Sequence, residues 1–479
     1  MSSLSNTLRA SLSQLVRVRA IFAALALLIC LAGNVRAGFL YAIRDSTAGN
    51  QIYGYNVNES TGALTLLAGF PVATGGNGLG FTPSEQITID RLNRRLFVIN
   101  DGSDTVSAYS IDQTTGALTA LPFSPIALGA GGWQTIAVHP SGSPLIVGDA
   151  NGKVNSYNIT ATTATAAAGS PFSTGTARPF SSVFSRDGSY FYTGGNSGNV
   201  FAGFSVNPTN GVLTALAGSP FDSGAAAPAG YATDSQGRFF TGNDPQVRAF
   251  TTASGIPTAV SGNPFPSGLT ITVDGVLSPN ENFYYVADRG GNRVGAYRIA
   301  GSGSSTTLTA VAGSPFASSG TLTDALVFNN SGNFLFAANG DSRNITTYSA
   351  DTGTGVLTFN NVQAANTLGA VGRLSGIDYL PTAAPTAANV SVGGRVLSAN
   401  GRAVSRARVT LTGASGETRT ALTNSLGYYR FEDVGAGETY IFAIISKRYS
   451  VAPQVVTVTE DLTDLNFTAH PNAGKNSLR

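Results

Sequence analysis

This 479-residue chain has two histidines, one cysteine and one tryptophan, so few side chains are left to do chemistry. The polar residues that stand out are Glu85, Asp274, Asp324, Arg178 and Arg373, with Gln134 among them. They share a position. Each stands at or just before the start of the first strand of a repeated unit. Side chains placed this way converge on one mouth, where carboxylates and guanidinium groups can bind a polar ligand or an ion. The plainer reading is that such a mouth is wet and tolerates mixed polar residues. Both readings stay open at this level. His139 ends a first strand, on the opposite side, in a turn His-Pro-Ser-Gly, and a turn role suits it best. His470 lies near the C-terminus. A Ser-His-Asp triad or a histidine zinc site therefore has no suitable histidine, and no metal or cofactor is expected. Asp and Asn recur at Asn100, Asp149, Asn196, Asn243, Asp288 and Asn339. They are spread over different repeats, and turn chemistry accounts for each. Trp133 suits packing between repeats.

The elements that position these residues announce themselves by repetition. Gly169-Ser170-Pro171-Phe172 returns at 218–221 and 313–316, with weaker copies around Pro71, Pro125 and Pro264. These prolines are 44 to 54 residues apart. A period of that length, built from short strands, indicates a β-propeller. Third strands carry an aromatic near their end: Tyr55, Tyr109, Tyr157, Phe204, Phe250, Tyr297 and Tyr348. Seven such strands give seven blades. The first blade begins at its second strand, near Leu40. Its missing first strand is expected at Ser375–Leu380, with Ile377 beside Leu40–Ile43, so that both ends of the ring are zipped into one sheet. The repeated phrase is expected between fourth and first strands, as punctuation of the blade.

Outside the repeats, residues 1–37 read as a secretory signal. Arg9, Arg17 and Arg19 precede an apolar run over 20–32, and Val35-Arg36-Ala37 offers a small-residue cleavage site. The run is short for a membrane span of about 20 residues, and an uncleaved anchor is the alternative. Removing the signal takes away Cys30 and leaves 24 basic against 26 acidic residues. No basic surface for nucleic acid, no disulfide and no thiol nucleophile remain. Localisation is expected to be periplasmic, cell-surface or extracellular. The expected organisation is a propeller over 38–381, a linker over 382–389, a β-sandwich over 390–470 and a disordered tail over 471–479. The fold class is all-β.

The second-strand segments Val98-Ile99-Asn100, Tyr285-Val286-Ala287-Asp288 and Phe336-Ala337-Ala338-Asn339 carry a resemblance. So do the Thr-Gly-x-Leu-Thr and Gly-Ser-Pro-Phe phrases. Together they make residues 39–381 resemble the seven-bladed lactonase-like propellers with YVTN-type repeats. The stretches Gly394-Arg395-Val396, Ala407–Leu411 and Gly427-Tyr428-Tyr429-Arg430-Phe431 resemble the carboxypeptidase regulatory-like domain, a small transthyretin-like antiparallel sandwich grouped with carbohydrate-binding-like folds. The first resemblance implies a lactone hydrolase. Opening a lactone needs activated water and a stabilised oxyanion. Glu85, Asp274 or Asp324 would serve as base and Arg178 or Arg373 as electrophile. Against this stand the lack of a histidine at the mouth and, in an exported chain, the lack of a phosphorylated sugar lactone. On balance the residues favour an exported binding protein whose partner is an envelope or extracellular protein or glycan. No catalytic residue is assigned, and lactone hydrolysis is the alternative.

Overall fold

The computed structural model describes residues 37–471, apart from 81–84, 176, 196–197, 244, 364–371, 382–388, 413–417, 436–437, 447, 452 and 459–460. Nearly all of the expected signal, the linker and the tail, and the turn residue Asn196, lie outside these. The chain divides into two compact units, one up to Thr382 and one from Ala383.

The first unit holds seven antiparallel sheets. Blade 3 runs Trp133–Val138, Leu145–Asp149, Lys153–Ile159 and Ala164–Ala166, from the innermost strand outward. Blades 2, 4, 5, 6 and 7 repeat this order, with inner strands Ile87–Asp90, Ser181–Phe184, Ala229–Thr233, Thr272–Leu277 and Thr323–Phe328. Blade 1 is completed from the far end of the ring. Arg373–Pro381 pairs antiparallel with Ala37–Asp45, and Ile377 faces Ala42. Each inner strand touches the next around the ring. Second strands such as Arg95–Asn100 and Phe283–Asp288 are buried along their whole length. A blade packs against a neighbour on either face, so both side-chain rows are covered, as in strands sandwiched on two sides. All seven third-strand aromatics are buried. Other side chains bolt blade to blade: Tyr41, Tyr192 and Tyr285 each donate a hydrogen bond to a glycine carbonyl in a turn of the following blade, at 2.7–2.9 Å.

The repeated phrase does something other than mark a crossing between blades. It lies inside the outermost strand and splits it. In blade 3, Ala164–Ala166 and Phe172–Ser173 both pair with the same third strand, before and after the interruption. An interruption leaves an N–H of the third strand without a ladder partner, which is costly unless something accepts it. The phrase supplies the acceptor. Ser170 Oγ takes the N–H of Ser156 at 3.1 Å, and Ser219 and Ser314 do the same for Gly203 and Ala296 at 3.0 and 2.8 Å. In blade 5 the serine is replaced by Asn263, whose Oδ1 takes the N–H of Ala249 at 3.0 Å. The glycine that opens the phrase has φ of +84° to +100° at 169, 218, 262 and 313, a conformation only glycine adopts without strain.

The second unit is a sandwich of two four-stranded sheets. One runs Tyr428–Gly435, Asn389–Ser398, Phe467–Pro471, Tyr449–Ser450; the other runs Thr418–Leu422, Arg408–Thr412, Glu438–Ile445, Gln454–Val458. All pairs are antiparallel except Asn389–Ser398 with Phe467–Pro471, which is parallel. Its core is apolar, built around Val392, Val409, Leu411, Phe431, Phe442 and Phe467.

Candidate functional site

The inner strand of a blade has no partner on its channel side, so its N–H groups there need other acceptors. At one level of the channel, three residues before the turn that ends each inner strand, five of these N–H groups are satisfied, four by side chains and one by a backbone carbonyl. Ser182 N–H donates to Glu85 Oε2 at 2.7 Å, Gly275 N–H to Asp274 Oδ1 at 2.8 Å and Leu326 N–H to Asp274 Oδ2 at 2.6 Å. Ile136 N–H uses the carbonyl of Glu85 at 3.0 Å, and Tyr231 N–H uses Ser181 Oγ at 3.2 Å. Glu85 precedes the inner strand of blade 2. Its carboxylate nevertheless rests on blades 3 and 4, accepting from Thr135 Oγ1 at 2.7 Å and Ser181 Oγ at 2.6 Å. It therefore crosses the front of blade 3 and ties three blades together.

Glu85 and Asp274 lie deep in the channel, yet each keeps some accessible surface. Burial pushes Glu85 up to about 7, outweighing its three hydrogen bonds. Asp274 is held well above the usual carboxylate range, first by burial and then by the charge of Glu85. Two carboxyls that repel each other in a poorly solvated site titrate as a pair, and near neutrality one of them keeps its proton. Such a pair can supply a base and an acid at once.

The other candidates gather elsewhere. Asp324 is buried and paired with Arg289 at 2.5 Å; burial raises it to about 6 despite that arginine. Arg373 lies 2.7 Å from Asp341, both partly exposed, and its charge also reaches Asp324. Arg178 is partly buried, and its Nε has no hydrogen-bond partner among the described residues. Gln134 is buried, and its Oε1 likewise lacks one. Four of the six thus separate into a carboxyl pair in the lumen, Glu85 and Asp274, and a charged cluster where the inner strands begin, with Asp324 and Arg373; Arg178 and Gln134 join neither. Arg289 was not singled out in the sequence, because Asp288-Arg289-Gly290-Gly291 reads as a turn.

His139 has no nitrogen to spare. Its Nδ1 accepts the N–H of Ser141 at 3.1 Å, which leaves Nε2 to donate to Gly188 O at 3.1 Å. Burial keeps it neutral. The indole N–H of Trp133 is spent on Asp104 and Gly129, and its ring packs with Phe97 and Val106 of blade 2. Asp149 accepts from Asn151 and Lys153 of its own turn, and Asp288 from Gly291 and Arg293 of its own. Among the described residues no group of three or more His, Cys, Asp or Glu side chains is placed to hold a metal ion.

A cavity of about 610 Å³ opens at the other end of the channel, where the inner strands finish. Its wall includes Val138, Val183, Ala232, Val276, Leu277 and Val327, and it reaches up to Tyr231 and Gly275, at the level of the carboxyl pair. None of the six candidate residues forms part of that wall.

Comparison with known proteins agrees with this architecture. Residues 136–370 match the family model "Lactonase, 7-bladed beta-propeller" and residues 391–470 match "Carboxypeptidase regulatory-like domain". No curated protein sequence matches the chain. Among solved structures, the periplasmic gluconolactonase of Pseudomonas aeruginosa is 17% identical, with a TM-score of 0.58 over 72% of this chain and 99% of its own. A protein of Bacteroides fragilis assigned as a 6-phosphogluconolactonase is 18% identical, with a TM-score of 0.58 over 73% of this chain and 99% of its own. At these identities the likeness speaks for the fold. The chain is a seven-bladed lactonase-like β-propeller followed by a carboxypeptidase regulatory-like domain.

Proposed function

We propose that this protein hydrolyses a lactone in the propeller channel, with Glu85 as general base and Asp274 as general acid. The observation that carries the reading is the two lumen carboxyls that brace neighbouring inner strands, both raised by burial and Asp274 also by the charge of Glu85. In this reading ionised Glu85 takes a proton from water as the water oxygen bonds to the lactone carbonyl carbon. The ring C–O bond then breaks, and the departing alkoxide takes the proton held by Asp274, giving a hydroxy acid. The lactonase-like fold and the lactonase names of two structural neighbours support the same class of reaction.

A second reading, an exported binding protein with an accessory sandwich, is favoured by one feature. Both carboxyls already serve the backbone, bracing the inner edges of blades 4, 6 and 7 directly. A panel of sugar and alkyl lactones assayed with the wild type and with Asp274→Asn separates the two. The hydrolase reading expects wild-type turnover on at least one lactone and a loss of about 10²–10⁴-fold in Asp274→Asn. Wild-type rates equal to buffer across the panel would leave the binding reading.

A further inference from the structure

The cavity below the carboxyl pair has a lining that limits what can fill it. One position beyond the five capped N–H groups stand Val183, Ala232, Val276 and Val327, and the next position adds Val138 and Leu277. These come from blades 3 to 7 at two successive register positions, so they form a collar around most of the lumen. Several of the polar groups beside them also bind within the protein. Arg91 is paired with Asp378 at 2.5 Å and Arg186 with Glu281 at 3.0 Å. Thr233 Oγ1 donates to Phe184 O at 2.7 Å, Tyr379 OH donates to Glu59 at 2.7 Å, and both nitrogens of His139 are engaged. A phosphate or a polyol placed against the collar itself would lose its hydration there and gain no hydrogen bond from these aliphatic side chains. An aliphatic chain would lose nothing. The volume of about 610 Å³ is that of an ordinary small-molecule site.

We infer that the channel takes lactones bearing an aliphatic chain, with the ring at the level of Glu85 and Asp274 and the chain inside the collar. This rests on the hydrolase reading and names its substrate class. The full chain is tested in two ways. In the first, kcat/KM is compared for γ-decalactone, γ-butyrolactone, glucono-δ-lactone and 6-phosphoglucono-δ-lactone. In the second, binding of the non-hydrolysable 5-hexylpyrrolidin-2-one and of pyrrolidin-2-one is measured by titration calorimetry. The expected result is a preference of about tenfold or more for γ-decalactone over the other three, since each methylene in an apolar pocket discriminates strongly. The hexyl lactam should bind at one site and the bare lactam should not. Val276→Thr and Val183→Thr, each checked for a normal melting transition, should cut that preference several-fold. Equal rates for decalactone and butyrolactone, preference for the phosphorylated sugar lactone, failure of the hexyl lactam to bind, or an unchanged preference in both folded variants would overturn the inference. The two claims fail separately. Hexyl lactam binding without turnover of any lactone sinks the hydrolase reading and leaves the aliphatic site. Turnover of sugar lactones without lactam binding does the reverse.

Discussion

The two ends of the channel differ in what surrounds the axis, although ion pairs stand at both, Arg91–Asp378 and Arg186–Glu281 at the open one. Where the inner strands begin, charge meets charge: Asp324 lies 2.5 Å from Arg289, and Arg373 lies 2.7 Å from Asp341. Where they finish, small aliphatic side chains surround a cavity of about 610 Å³. The contrast shows how a ring of blades leaves room for a ligand. Charged side chains are long and satisfy one another, so an end furnished with them knits itself together. Valine, alanine and glycine are too short to meet across an axis, and space remains. Between the two ends, Glu85 and Asp274 belong partly to each. They fasten blades through backbone N–H groups, at the level of Tyr231 and Gly275, where the cavity of the open end stops.

The contrast can be broken by substitutions that should act on stability at one end only. Asp324→Ala leaves Arg289 mostly buried beside a lost carboxylate and should cost about 3 kcal/mol in urea unfolding of the propeller. A cost below about 1 kcal/mol would mean that this end is no lock. Ser170→Ala, away from the channel, should cost about 1–2 kcal/mol, because the N–H of Ser156 then faces a methyl group. Ser170→Asn should recover most of that, since Asn263 plays the same part in blade 5. Failure of the asparagine to rescue would show that the phrase acts through something other than the accepted N–H. Arg373→Ala should be the mildest, at about 1 kcal/mol or less, because its ion pair is partly exposed.

These regions were not equally legible in the sequence. Seven blades, and closure of the ring by the strand around Ile377, follow from repeats and from a first blade that lacks its inner strand. The role of the Gly-Ser-Pro-Phe serine did not, because its acceptor function appears only once the outer strand is seen to be split. Glu85 and Asp274 stood out as acids at the start of their strands. What could not be read was that each would act on the other's charge, since Glu85 reaches two blades along the ring, a reach set by the curvature of the ring. The collar was invisible for another reason. Val183, Val276 and Val327 have the same pattern as core valines in any strand, and only the axis of the ring turns them into the wall of a cavity.

The most direct test is the pH dependence of kcat/KM for lactone hydrolysis by the wild type and by Glu85→Gln. A general base works only when ionised. Burial holds Glu85 near 7, so the wild-type rate should rise with pH through about that value. The Glu85→Gln protein, with a normal melting transition, should lose that rise and at least about a hundredfold in rate. A wild-type rate that does not change across this range, or a folded Glu85→Gln protein with wild-type activity, would contradict the account.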